Sequence, residues 1–260
     1  AMQGHDAGDH ACARRPVERV EPALALSPAP LRVGVPVGWF ARMSGSEAAS
    51  AAARVADVLA GETGGAVTPV DLDAAEAGRA AAYLITNAES AAFHLDRLRA
   101  RADDFDPDTR DRFLAGALLP AAWVTRAHRV RAWWRDRALA AFAKADVLIV
   151  PATPVRAPLM GARDLVMDGV RQPLRPMLGL LSQPFSCAGL PVVTVPVFTP
   201  EADVPFGVQI VAPPWQEARA LQAAELLARV GLSFAKAPDV LPSAEVTATL
   251  AADTSGPASQ

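Results

Sequence analysis

Lysine is nearly missing from this sequence. Lys144 and Lys236 are the only two among 260 residues, so 23 of the 25 basic side chains are arginine. Lys144 closes a stretch of helical periodicity and Lys236 stands in a polar tail, so neither reads as an activated base. Serine is present without the settings that activate it. There is no G-x-S-x-G elbow, and no Gly/Ser-rich loop to aim backbone N–H groups at an oxyanion. Ser44-Gly45-Ser46 is the nearest approach, and helix capping accounts for it. No catalytic residue is therefore assigned. Cysteine occurs twice, at Cys12 and Cys187, too far apart for a metal knuckle or a disulfide framework. Two such thiols fit a cytoplasmic, reducing setting. Excess charge is also lacking: the net charge is −3, so no basic field exists to hold nucleic acid or acidic lipid. No uncharged apolar run reaches the ~18–20 residues of a membrane span. The first residues have no basic stretch followed by an apolar one, so no signal peptide is expected.

What is present suits a globular core. The chain is 51% hydrophobic and 20% charged, which excludes a disordered polymer and is ample for one large domain. Short apolar runs predict strands at roughly 31–36, 66–71, 147–150, 192–197 and 206–212. Val147-Leu148-Ile149-Val150 has no polar alternation and reads as a strand buried on both faces. Helices are expected over 48–59, 74–101, 107–118, 120–145 and 216–230. Ser44 or Ser46 would cap the first, with Glu47 at capping-box spacing from Ser44; Gly61 would end it, and Gly231 would end the last. On the long helix, Tyr83, Ile85, Ala88, Ala92 and Leu95 recur at helical spacing. Residues 1–30 read as a loop with one helical turn. Residues 151–176 read as a Pro-rich loop containing an Asp168-Gly169 turn, and 177–188 as a helix or an irregular segment. Strands alternating with helices argue for an α/β layer fold: a mixed sheet with helices on both faces.

Several residue groups invite a chemical reading. His5, Asp6, Asp9 and His10 have metal-ligand side chains, but no helix fixes them on a common face, and a solvated loop is the expected outcome; no metal site is assigned. His94 follows Tyr83 and Glu89 on the long helix, and Tyr83, Thr86 and Ser90 lie near one face of it, which either lines a pocket or meets a neighbouring loop. Trp123, Trp133 and Trp134 interleave with Arg126, Arg129, Arg131 and Arg135. Such interleaving can bind single-stranded nucleic acid. At helical spacing in a net acidic chain it reads instead as a half-buried helix with a solvated arginine face.

The last third carries a resemblance. Asp146-Val147-Leu148-Ile149-Val150-Pro151-Ala152-Thr153-Pro154 resembles the "DVLLTPTTP" strand and loop of the amidase signature family. Ala188-Gly189-Leu190-Pro191-Val192-Val193-Thr194-Val195-Pro196 is similar to that family's "AGLPAISVP", and Pro205-Phe206-Gly207-Val208-Gln209-Ile210 to its "LPVGLQLI". Met2-Gln3-Gly4-His5-Asp6 is similar to its "AGxD" segment. Ala81–Thr86, Glu89, His94–Arg99 and Leu114–Pro120 resemble the subgroup of carboxybiuret or biuret amidohydrolases. The resemblance covers about residues 1–231.

The resemblance implies an amidohydrolase of the amidase-signature α/β/α layer fold, with residues 1–236 forming the C-terminal portion of the domain and 237–260 a disordered tail. In that family a serine is activated through a second serine in a cis peptide and by a lysine, and all three precede the segment matched here. The resemblance therefore supplies no catalytic residue, and it implies no cofactor and no metal. It implies a small-molecule amide or urea-type substrate, and as protein partner a small helical subunit or a second copy of the chain. Arg112 matches an arginine that holds a substrate carboxylate in glutamine-using relatives; a guanidinium fork suits a carboxylated urea for the same bidentate reason. The other reading is a surface arginine paired to Asp108 or Asp111. Gly179 falls where those relatives carry an acidic group for an amino function, which argues against an α-amino acid. Tyr83, Thr153, Gln183 and Ser186 complete the expected substrate wall, although hydroxyl and amide groups equally serve nearby backbone. A half domain would leave sheet edges and an apolar face uncovered, so poor solubility or a need for a partner is expected. The competing reading is an inactive short protein that serves as a binding or partner subunit.

Overall fold

The computed structural model describes residues 4–199 and 202–235. The expected tail at 237–260, Lys236, Met2 and Gln3 lie outside them. In chain order the elements are α1 (Glu21–Leu24), β1 (Arg32–Val37), α2 (Trp39–Met43), α3 (Ser46–Thr63), β2 (Ala66–Asp71), α4 (Ala75–Arg101), α5 (Pro107–Ala117), α6 (Ala121–Ala141), β3 (Val147–Pro151), β4 (Asp164–Met167), β5 (Val170–Pro173), α7 (Leu174–Leu178), α8 (Gln183–Ala188), β6 (Val192–Thr199), β7 (Ala202–Val211) and α9 (Glu217–Arg229).

Five strands form one mixed sheet in the order β2-β1-β3-β7-β6. β2, β1 and β3 are parallel, whereas β7 is antiparallel to both β3 and β6. Parallel neighbours need a crossover, and α3 supplies the one between β1 and β2. Every residue of β3 is buried. Its side chains alternate between faces. Val147 and Ile149 join the core under α3 and α9, while Leu148 and Val150 join the core under α4, α6 and α8. This is the α/β architecture with helices on both faces.

Charge ties the layers together at one end. Asp146, just before β3, accepts hydrogen bonds from the Arg32 backbone N–H at 2.9 Å, from Arg32 Nε at 3.2 Å and Nη2 at 2.9 Å, and from Arg219 Nη1 of α9 at 3.2 Å. The Arg32 hydrogen bonds hold the Asp146 carboxyl below its usual range, against the opposing effect of partial burial.

Some local expectations are corrected. The capping box does not form: Ser44 Oγ donates to Phe40 O at 2.8 Å, because Trp39–Met43 is itself helical. The start of α3 is instead held from outside. Asp168 Oδ1 accepts from Ser46 Oγ at 2.9 Å and from Ser46 N–H at 3.3 Å. Gly61 lies inside α3, and Gly64, with φ 65°, ends it in the left-handed conformation. The Asp168-Gly169 turn forms, with φ 48° and 82°, but it closes the β4–β5 hairpin within the expected loop. On α4 the buried positions are Ala75, Gly78, Ala81, Ile85, Asn87, Ala91 and Leu98. Ala92 is exposed and Tyr83 half-exposed, because α4 turns one stripe to α6 and another to α5.

Candidate functional site

The residues nominated from sequence stand on four parts of the fold: Tyr83 on α4, Arg112 on α5, Thr153 just after β3, and Gln183 and Ser186 on α8. Tyr83 and Arg112 are brought together. The guanidinium carbon lies 5.4 Å from the Tyr83 ring centroid, within the range of a cation–π contact. Arg112 Nη2 also donates to Asn87 Oδ1 at 3.1 Å. Asn87 is one helical turn beyond Tyr83 and only 4% exposed, so its amide is a rigid holder. Arg112 makes neither ion pair considered for it: Asp108 pairs with Arg175 and Asp111 with Arg110.

Glycine makes this approach feasible. Gly116 lies one turn after Arg112, and a Cβ built on it would overlap the Asn87 backbone carbonyl. Without a side chain there, α5 settles on α4 and swings Arg112 over Tyr83. Further along α4, Arg79 Nη2 donates to Pro176 O at 2.7 Å, so α4 also holds α7.

α8 is clamped by α6. Trp134 Nε1 donates to Pro184 O at 2.7 Å, Arg131 Nε to Cys187 O at 2.9 Å, and Arg135 Nη1 to Ala188 O at 2.8 Å. The two arginines satisfy carbonyls at the C-terminus of α8, where positive charge is favoured. This corrects the picture of a uniformly solvated arginine face: Arg126 and Arg129 are solvated, while Arg131 and Arg135 reach across to α8. Cys187, seven percent exposed, is pushed up in pKa by burial, with Arg131 opposing.

Gln209 of β7 joins the remaining pieces. Its Nε2 donates to Pro151 O at 3.0 Å and Leu181 O at 3.3 Å, which ties the segment leading to Thr153 to the segment leading to Gln183. The Thr153 hydroxyl donates to Val155 O at 2.7 Å and so serves its own loop. Ser186 is exposed. Gln183 packs its side chain toward Gly179. Two buried polar atoms beside the α7–α8 turn have no partner among the described residues: the donor Arg79 Nε and the acceptor Gln183 Oε1.

Asp6, Asp9 and His94 have structural roles. Asp6 and Asp9 accept from Gly8 N–H and Ala11 N–H at 2.8 Å, forming local turns. Among the described residues no group of three or more metal-ligating side chains is assembled. His94 stacks on Phe113 with ring centroids 5.1 Å apart and meets Phe93 and Phe105 edge-on, so that end of α4 is an aromatic cluster. Among the described residues no helix is long and apolar enough to cross a membrane.

Sequence reasoning missed Asn87, Arg79 and the partners of Arg131 and Arg135. Asn87 gave no signal, since a polar residue on a long helix is expected to be solvated. Gln209 did give one: it is the polar residue inside the otherwise apolar run 204–212.

Comparison with known proteins adds independent information. The amidase family model, described as "Amidase", matches residues 1–221. The chain is 44% identical over 237 residues to the 1-carboxybiuret hydrolase component AtzE of Pseudomonas sp. (strain ADP), covering 91% of this chain and 51% of that protein. It is 28% identical over 267 residues to a glutamyl-tRNA(Gln) amidotransferase component of Akkermansia muciniphila, covering 91% of this chain and 53% of that one. Among solved structures, a chain from a vestigial protein complex bearing on the origins of an s-triazine catabolic enzyme superposes with TM-score 0.84 at 42% identity, over 91% of this chain and 51% of that chain. The 6-aminohexanoate cyclic dimer hydrolase complexed with substrate superposes with TM-score 0.72 over 88% of this chain and 51% of that chain; at 20% identity it attests the fold alone. The chain thus spans about half the length of the relatives it matches.

Proposed function

The chain belongs to the amidase family, and on that premise we propose that it is the C-terminal portion of an amidohydrolase acting on a small urea-type amide of the carboxybiuret kind. The bond cleaved is C–N. The chemistry is serine acyl transfer, with the Ser-Ser-Lys triad outside this chain. The observation that carries this reading is the 44% identity to a carboxybiuret hydrolase component over 91% of the chain. The absence of an activated nucleophile in the sequence is consistent with it.

In this reading the chain forms one wall of the substrate pocket. Arg112, stacked on Tyr83 and steered by Asn87, offers a guanidinium to the substrate carboxylate. Thr153 and Ser186 flank that wall. A small helical subunit or a second copy of the chain is the partner, in a cytoplasmic setting.

The test is hydrolysis of carboxybiuret, followed as ammonia release. The purified 260-residue chain alone is expected to show no turnover above background. Mixed with the other half of the Pseudomonas sp. (strain ADP) relative, it is expected to turn over. Turnover by the chain alone would overturn the placement of the triad. A stable mixture without turnover would favour an inactive partner subunit instead.

A further inference from the structure

Gln209 is a buried polar side chain on an inner strand of the sheet. It is 2% exposed, and β7 lies between β3 and β6. Along β7 it shares a face with Val211, toward the core under α4, α6 and α8. Its carboxamide nitrogen carries two hydrogens, and both are used. One goes to Pro151 O at the end of β3, at 3.0 Å, and one to Leu181 O in the α7–α8 turn, at 3.3 Å.

The two segments joined in this way differ in how else they are held. The segment after β3 is anchored from several sides. Ala152 N–H donates to Gly207 O at 2.7 Å, and Gly45 N–H donates to Pro154 O at 3.0 Å. Arg156 donates to Val204 O at 2.6 Å and to Thr199 Oγ1 at 2.7 Å, with its guanidinium 4.2 Å from the Phe206 ring centroid. The α7–α8 turn is bonded to itself. Leu180 N–H donates to Met177 O at 3.2 Å, Gln183 N–H to Gly179 O at 3.0 Å, and Ser182 Oγ to Gly179 O at 3.4 Å. Among the described residues, the bond from Gln209 is the one that links the polar groups of this turn to the sheet. Leu181 is buried too, but apolar burial is non-directional and does not fix the rotation of a turn.

We propose that Gln209 is a positioning residue for the amide hydrolysis. Its carboxamide sets the α7–α8 turn, and with it Gln183, against the anchored segment that carries Thr153. It thereby fixes the spacing between these two parts of the substrate wall. This rests on the proposed function. The substrate carboxylate belongs to Arg112, which is held separately by Asn87 and Tyr83. Loosening the turn should therefore disturb how the bound substrate is oriented rather than how it is captured. Orientation is where small displacements are costly, since a shift of about 1 Å can cost on the order of 100-fold in rate.

The experiment uses the full chain, alone and mixed with the other half of the Pseudomonas sp. (strain ADP) relative. Gln209→Met keeps the length of the side chain and removes both donors. In the chain alone, hydrogen exchange at the Leu180 and Gln183 amides should quicken by roughly tenfold or more, while the β6–β7 ladder keeps its protection. In the mixture, kcat for carboxybiuret should fall by about tenfold or more, with KM within about threefold of the parent. Gln209→Asn keeps the donors but shortens their reach by one methylene, and it serves if Gln209→Met does not fold; the same two changes are expected, at about threefold or more. Val208→Ala is the control. It truncates the neighbouring side chain of β7, fully buried on the opposite face. It should destabilise the fold and leave the Leu180 and Gln183 amides, kcat and KM as in the parent.

Parent-like exchange at both amides, an undiminished kcat, a loss confined to KM, or an equal loss of kcat in Val208→Ala would each overturn the inference and leave the proposed function standing. A parent mixture without turnover would instead overturn the proposed function. Quickened exchange would then show Gln209 as a structural tie alone, which overturns its positioning role as well.

Discussion

Gly116 and Asn87 touch backbone to backbone, and that contact places Arg112. Any side chain at 116 would collide with the Asn87 carbonyl, so the crossing of α5 over α4 depends on one missing Cβ. The guanidinium position over Tyr83 is thus set by packing four residues away from the arginine itself.

Gly116→Ala should therefore force α5 away from α4. Overpacking of this kind costs about 1–3 kcal/mol. Denaturant unfolding should show the loss, and fluorescence of the single tyrosine, Tyr83, selected against the tryptophans, should report the departing guanidinium.

Arg112→Ala should weaken capture of a carboxylated substrate in the reconstituted enzyme. Losing a charge-assisted hydrogen bond corresponds to roughly 10- to 100-fold, expected chiefly in KM. Arg112→Lys should recover little, because a lysine lacks the bidentate fork. Steady-state kinetics on carboxybiuret, separating KM from kcat, checks both; an unchanged KM in each variant would remove Arg112 from the pocket.

Trp134→Phe should leave Pro184 O without its 2.7 Å donor. Trp134 is fully buried, so the carbonyl would face no water, a loss of about 1–3 kcal/mol. Thermal unfolding should fall, and hydrogen exchange should rise first in α8.

Asp146 predicts an acid limb. Hydrogen bonding from Arg32 lowers its carboxyl pKa in the folded chain. A lowered folded value means the stabilisation is fully present above the ordinary carboxylate pKa, about 4, and is lost as pH falls through the folded value. Asp146→Asn should lower the melting temperature at neutral pH, and the gap to the parent should close on acidification. A gap independent of pH would exclude the carboxylate as its source.

Cys187 should be inert. Its thiol is buried and its pKa raised by that burial, so little thiolate exists to react. Ellman titration of the native chain should find Cys12 alone and, after unfolding, both. The raised pKa also means that stability is present below the ordinary thiol value and is lost as pH rises through the folded one.

The strands were legible because their apolar runs are short and bounded by proline and glycine. The run 147–150 lacks any polar residue, and burial on both faces is the one environment that tolerates this. The β4–β5 hairpin was not legible beyond its turn, because Val166 and Val170 are exposed and give no alternation against a core. The capping box misled for a similar reason. Spacing marks Ser44 and Glu47, but the hydroxyl was taken by a helix turn preceding it, and the helix start was satisfied by Asp168, distant in sequence.

For the site, Tyr83 and Arg112 could be nominated from residue type and resemblance, but their meeting could not. It depends on Asn87 and Gly116, which carry no local pattern. The amino-acid sequence by itself determined the layered α/β class, the places of the five main-sheet strands and the family, since these follow from periodicity and from motifs read in order. Only the tertiary structure decided that Arg131 and Arg135 clamp α8, that Gln209 joins two loops, and that β6 stands at the sheet's edge among the described residues. Each of these is a hydrogen bond, or an unmade one, between segments far apart in the chain, and local composition holds no record of which distant backbone group will be within about 3 Å.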